Sequence, residues 1–156
     1  MIRGIHHVAI NSPDIERIIA FYRDAFGFEP VAPEYSWKDM PEMDAALGMR
    51  GSAARTRMLR AGTCYLEVFE YSSPPRRGGG ALRPHDHGYT HFAVDVTDIR
   101  GEIARLKSLG MTFPPVDPLD MEGIKAIYGK DPDGNVIELQ ELASDHDFAL
   151  ARLQQP

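Results

Sequence analysis

Two histidines and two glutamates are the residues of this 156-residue chain whose types and spacing suit chemistry. His7 opens the run His7-Val8-Ala9-Ile10-Asn11-Ser12-Pro13-Asp14-Ile15. His91 opens His91-Phe92-Ala93-Val94-Asp95-Val96-Thr97-Asp98-Ile99, with His, Ala, Asp and Ile at matched places 84 positions on. Glu67 and Glu138 sit in a second echo, Leu66-Glu67-Val68-Phe69-Glu70 against Ile137-Glu138-Leu139-Gln140-Glu141, 71 positions apart. Self-similarity of this kind reads as two related modules, each beginning with a His-bearing segment and ending with a Glu-bearing one. Two imidazoles and two carboxylates form an N2O2 donor set suited to a divalent metal such as Zn, Ni, Co, Mn or Fe. Structural zinc sites usually draw on cysteine, which this set lacks, so the pattern points to an open catalytic site. Taken singly, each Glu reads as a solvated residue on the wet face of a sheet, and each His as a satisfied or exposed histidine. Their recurrence at matched places is what sets the four apart.

The elements that must position them follow from periodicity and turn chemistry. A strand is expected over 5–11. A helix should follow, with Ser12 as N-cap, Pro13 at its first position, Ile15, Ile18, Ile19, Tyr22 and Phe26 at helical spacing, and Gly27 ending it. Positions 28–31 read as extended. The 33–54 excursion breaks the pattern; it holds Trp37 and a short amphipathic turn or helix around Met40, Met43, Leu47 and Met49, and its length suits a lid or binding loop. Strands at 55–60 and 64–71 flank a turn at Ala61-Gly62-Thr63. The second module repeats the plan: a strand over 90–96, a helix over 97–109, an extended piece over 113–116, and strands over 124–128 and 135–142 around Asp131-Pro132-Asp133-Gly134. The reading is one α+β domain over 1–156: module 1 about 1–72, a Pro/Gly/Arg-rich linker about 73–88, module 2 about 89–142, and a C-terminal helix about 145–155.

Alternation within the strands sorts the faces. Val8, Ile10, Leu66, Val68, Phe92, Val94, Ile137 and Leu139 point one way, for the helices to cover. His7, Glu67, His91 and Glu138 point the other way, along with Ala9, Asn11, Tyr65, Phe69, Ala93, Asp95, Val136 and Gln140. If the half-sheets curve towards each other, that second face lines a concave pocket.

Composition bounds the function classes. An apolar fraction of 43% and a charged fraction of 26% are those of a globular domain. The net charge of −6 weighs against nucleic acid or an anionic membrane as the main partner. Cys64 is the only cysteine, so no intrachain disulfide can form. No apolar run approaches the roughly 18–20 residues of a membrane helix, and no apolar export segment leads the chain. The expectation is a soluble, cytoplasmic protein.

The paired modules, with His7-Val8-Ala9-Ile10, Phe21-Tyr22 before Gly27-Phe28, and Asp131 to Leu139, resemble the vicinal oxygen chelate superfamily of glyoxalase I, methylmalonyl-CoA epimerase, extradiol dioxygenases and the bleomycin- and fosfomycin-resistance proteins. The resemblance implies two tandem βαβββ modules forming a curved eight-stranded mixed sheet cup with helices outside. It also implies a metal held by His7, Glu67, His91 and Glu138, with His7 rather than His6 in register with His91. A His/Glu/His/Glu set resembles bacterial glyoxalase I and lies near the epimerase set. A Glu at 67 departs from the two-His, one-carboxylate dioxygenases, and the presence of ligands departs from the antibiotic-sequestering members. Asn11 stands where glyoxalase I would carry an Arg for glutathione, and Asp131-Pro132 where epimerases often show His-Pro.

The activity implied is that of a divalent-metal-dependent isomerase or lyase, removing a proton next to a carbonyl through an enolate or enediolate. Glu138 is the first candidate base and Glu67 the second. Asn11, Tyr65, Asp95 and Gln140 would orient a small carbonyl or thioester substrate, with Phe69 and Val136 as apolar wall. A homodimer is expected, as is common in the superfamily. The alternative reading is a metal-free small-molecule binder, or an extradiol-type dioxygenase. Two lesser features are a general acid from His85 or His87, and an anionic-tail contact from Arg76, Arg77 or Arg83.

Overall fold

A strand that alternates apolar and polar residues buries one face only. Leu66 and Val68 are 3% and 0% exposed, while Tyr65, Glu67 and Phe69 between and beside them are half-buried. The computed structural model describes residues 1–76, 78 and 80–153. The chain divides into two units, Met1–Gly79 and Gly80–Pro156.

The first unit contains β1 (His7–Asn11), α1 (Ile15–Phe26), β2 (Glu29–Pro30), β3 (Tyr35–Trp37), α2 (Pro41–Leu47), β4 (Ala53–Ala61) and β5 (Cys64–Ser73). Its sheet runs β1-β5-β4-β2, with β3 also on β4. Only β1/β5 is parallel, the crossover being supplied by the elements between them. α1 packs on β5 and buries Ile15, Ile18, Ile19 and Tyr22. The second unit contains β6 (His91–Asp95), α3 (Ile99–Ser108), β7 (Leu119–Met121), β8 (Ile124–Lys130), β9 (Val136–Leu142) and α4 (Leu150–Leu153), with sheet order β6-β9-β8-β7. Seven of the eight expected strands are there; β3 is added, and β7 stands in for the strand expected over 113–116.

The two echoes coincide in register. His7 pairs with Tyr65 and Ala9 with Glu67; His91 pairs with Val136 and Ala93 with Glu138, the same places after the 84- and 71-residue offsets. Capping repeats as well. Asp14 accepts from the Arg17 amide at 3.0 Å, and Asp98 from the Gly101 amide at 3.2 Å. A Cβ on Gly101 would displace the Asp98 carboxylate as it now sits, although the matching cap of the first unit is made to Arg17.

Glu70 and Glu141 each accept the first helical amide, from Ile15 and Ile99, both at 2.7 Å. Each also meets a base on the neighbouring strand, Arg55 at 3.1 Å and Lys125 at 2.6 Å. These glutamates fasten each helix start to its sheet, where a carboxylate satisfies an orphan N–H and the positive helix end. The Arg55 hydrogen bond, aided by the Ile15 amide and opposed by burial, holds the Glu70 carboxyl below its ordinary 4.5. A lowered carboxylate contributes stability above its unfolded-state value and loses it as pH falls through the folded one. Glu70→Ala is therefore expected to cost about 1–2 kcal/mol in urea unfolding at neutral pH. The deficit should shrink below pH 4; a deficit independent of pH would contradict the assignment.

Several expectations are corrected. The N-cap of α1 is Asp14, not Ser12: the Ser12 amide still extends the ladder to the Phe69 carbonyl at 2.8 Å, while its Oγ accepts from the Asp14 amide at 3.1 Å and donates to the Asp14 carbonyl at 3.0 Å. The excursion is ordered rather than patternless. Asp44 of α2 accepts from the Gly51 and Ser52 amides at 2.6 and 2.8 Å, and the buried Trp37 donates to Ser52 Oγ at 2.9 Å. The 113–116 piece is not a strand. Thr112 makes a single bridge to Lys130, Pro114 and Pro115 have no N–H to continue it, and Phe113 packs where Gly129 leaves room. The missing strand is β7, closed onto β8 by Glu122 and Gly123, both at positive φ as a type I′ turn requires. The C-terminal helix shrinks to Leu150–Leu153; positions 154 and 155 of the expected span lie outside the described residues. No described helix is long and apolar enough to cross a membrane.

Candidate metal centre

Within each unit the strand pairing brings one imidazole to one carboxylate. His7 Nε2 lies 3.2 Å from Glu67 Oε2, and His91 Nε2 lies 3.4 Å from Glu138 Oε2. Two ligands on one ion, each at roughly 2.0–2.2 Å and 90–109° apart, are separated by about 2.8–3.6 Å. Both pairs thus have the spacing of neighbours in one coordination sphere, and N/O donors of this type fit a borderline divalent ion. The same spacing also serves an ordinary ion pair. Among the described residues, no three His, Cys, Asp or Glu side chains gather in one group. The structure brings the four expected ligands together two and two.

The other ring nitrogen of each histidine is already engaged. His7 Nδ1 lies 2.9 Å from His6 Nδ1, and His91 Nδ1 lies 3.0 Å from Thr90 Oγ1. Each Nδ1 contact lies on the ring edge away from the carboxylate, so Nε2 is the nitrogen that faces it. His6 thus stands behind His7, with its own ring against Tyr65 at 5.0 Å.

Each carboxylate has a hydroxyl-bearing neighbour that sequence reasoning passed over. Thr56 on β4 donates to Glu67 Oε1 at 3.2 Å. Tyr128 on β8 pairs directly with Glu138 across the hairpin. Burial, then the Glu138 charge, raises the Tyr128 phenol above its ordinary value; burial, then Glu67, does the same for Tyr71. Counting across the hairpin from Asp131–Gly134 places Tyr128 opposite Glu138, so that signal was present in the sequence.

The expected substrate residues lie on these same faces. Asn11 pairs with Phe69 and Tyr65 with His7; Asp95 pairs with Gln140. Phe69 gains a neighbour from the excursion, since Trp37 meets it edge-on at 6.1 Å and Tyr71 at 5.7 Å. Val136 pairs with His91 and is 3% exposed. His85 and His87 lie in the exposed connection before β6. Arg83 is bound to Asp86 at 3.1 Å, which occupies the guanidinium suggested for an anionic tail. Arg76 is exposed, and Arg77 lies outside the described residues.

Residues 4–139 match the family model of the Glyoxalase/Bleomycin resistance protein/Dioxygenase superfamily. The chain belongs to that superfamily. An uncharacterised Escherichia coli protein, YaeR, is 31% identical over 147 residues, covering 90% of this chain and 97% of that one. A 2-epi-5-epi-valiolone epimerase from an Actinomyces species is 29% identical over 163 residues, covering 98% and 88%. The crystal structure of a glyoxalase family protein from Bacillus cereus has a TM-score of 0.80 and covers 91% of this chain and 95% of its own, at 16% identity. That likeness bears on the fold alone. In superfamily terms, the α+β class and the βαβββ modules follow from membership, whereas chemistry lives in the site.

Proposed function

We propose that this superfamily member is a divalent-metal-dependent isomerase or lyase that removes a proton from the carbon next to a carbonyl. The observation carrying the reading is the matched His Nε2–Glu Oε2 spacing, 3.2 Å in one module and 3.4 Å in the other. His7, Glu67, His91 and Glu138 would jointly hold one ion, the second module coming from the same chain or from a second copy in a homodimer. When bound, that ion supplies Lewis acidity that stabilises the negative charge developing on the carbonyl oxygen. Glu138 takes the proton and returns it, to the same carbon in an epimerisation or to its neighbour in an isomerisation. Glu67 stays in place as a ligand and is the second candidate base. Asn11, Tyr65, Asp95 and Gln140 orient a small carbonyl or thioester substrate, and Phe69 gives it an apolar surface. The epimerase among the relatives supports the proton-returning outcome.

Metal analysis of the purified protein tests the reading. The expected result is one equivalent of divalent metal per chain after equilibrium dialysis. Two equivalents would mean that each pair binds its own ion. None would leave a small-molecule binder, and either result overturns the shared centre.

A further inference from the structure

The last torsion of a glutamate side chain is broad, so a carboxylate that must present one chosen oxygen needs a restraint from outside. Glu67 has one, and its two oxygens have different partners. Oε1 accepts the Thr56 hydroxyl at 3.2 Å, while Oε2 lies 3.2 Å from His7 Nε2. Met58 is the residue of β4 that pairs with Glu67 itself; Thr56 pairs with Phe69, the next residue of β5 on the same face. Thr56 is buried and β-branched, which leaves its hydroxyl few directions to take. The second module lacks this device. Gln140 is the counterpart of Phe69 across the 71-residue offset, and the residue paired with Gln140 is Ala126. A methyl group stands where the first module has its hydroxyl.

We propose that Thr56 is a positioning residue for the centre: by holding Oε1 it turns Oε2 to the ion beside His7 Nε2 and makes Glu67 the fixed carboxylate, while Ala126 leaves Glu138 without the equivalent restraint. The proposal rests on the metal reading above. Outer contacts of this kind set ligand orientation, and losing one typically weakens metal binding about 10–100-fold. Thr56→Val keeps the branched shape and removes only the hydroxyl, whereas Thr56→Ser keeps the hydroxyl and removes the methyl group.

Chelator competition with Co(II), run on metal-stripped protein, reads the effect without any substrate. Thr56→Val is expected to bind Co(II) about tenfold more weakly than wild type, and Thr56→Ser to bind close to wild type. The visible absorption of bound Co(II), which reports ligand geometry, should change in Thr56→Val and return in Thr56→Ser. In a Glu67→Ala background the Val substitution should cost nothing further, because the hydroxyl then has no carboxylate to turn. A general loosening of the sheet would instead weaken binding equally in both backgrounds, and that result overturns the proposal. So does a Thr56→Ser variant that loses as much affinity as Thr56→Val. If wild type itself takes up no Co(II), the metal reading falls and this proposal with it. If wild type binds and Thr56→Val binds equally well, only the role of Thr56 falls.

Discussion

Glu67→Ala in the first module and His91→Ala in the second are each expected to empty the metal centre, with affinity falling by at least on the order of 10²-fold. On the proposed function each residue would be one of four ligands to a single ion. Loss of either leaves three donors, and the ion loses a short, strong bond rather than a distant charge. Glu67→Ala should be the deeper loss, because it also removes a formal negative charge facing the cation. Equilibrium dialysis followed by elemental analysis measures both. If the modules bound separate ions, each variant would instead keep half of the wild-type content. The Glu67 and His91 side chains are 18% and 32% exposed, so urea unfolding of each metal-free variant against wild type is the control for lost stability.

How far this centre was legible in the sequence depends on which interactions leave a periodic mark. Strand alternation and the two constant offsets place His7 beside Glu67 and His91 beside Glu138, because parallel pairing preserves register along the whole strand. The same echoes contained Glu70 and Glu141, but nothing in one strand reveals that these reach a helix amide; that contact depends on the loop geometry before Ile15 and Ile99. Thr56 and Tyr128 lie on a neighbouring strand, so finding them needs the hairpin register as well as the alternation. β7 was misplaced because the Phe113–Val116 segment looks extended, yet its prolines remove the donors a ladder uses. The turn that actually forms a hairpin, Glu122-Gly123, is a weaker signal than Asn-Gly. The excursion was opaque for a related reason. Its order comes from Asp44, Ser52 and Trp37, polar contacts across 15 residues that follow no period.

Glu138→Gln is expected to lower proton exchange by about 10²–10⁴-fold, the usual worth of a general base, while metal content stays near wild type. Glutamine keeps an oxygen that can face the ion but has no site to accept a proton at neutral pH, so the substitution separates binding from proton transfer. Glu67→Gln is the matched control, and its expected exchange loss is smaller. The asymmetry has a structural cause. Glu67 is pinned by the hydroxyl of Thr56, a residue 8% exposed, through a single side-chain torsion. Glu138 faces Tyr128, a residue 42% exposed and so a more open support. A base bound to a cation must loosen before it can take a proton, and the carboxylate with the more mobile support loosens at lower cost. Deuterium wash-in from D2O, followed by NMR on metal-loaded protein with 2-oxoaldehyde hemithioacetals and 2-substituted acyl thioesters, reads the exchange directly. If Glu67→Gln abolishes wash-in and Glu138→Gln spares it, the base belongs to the first module and the argument from the hydroxyl partners is wrong. If both variants exchange as wild type does, neither carboxylate moves the proton.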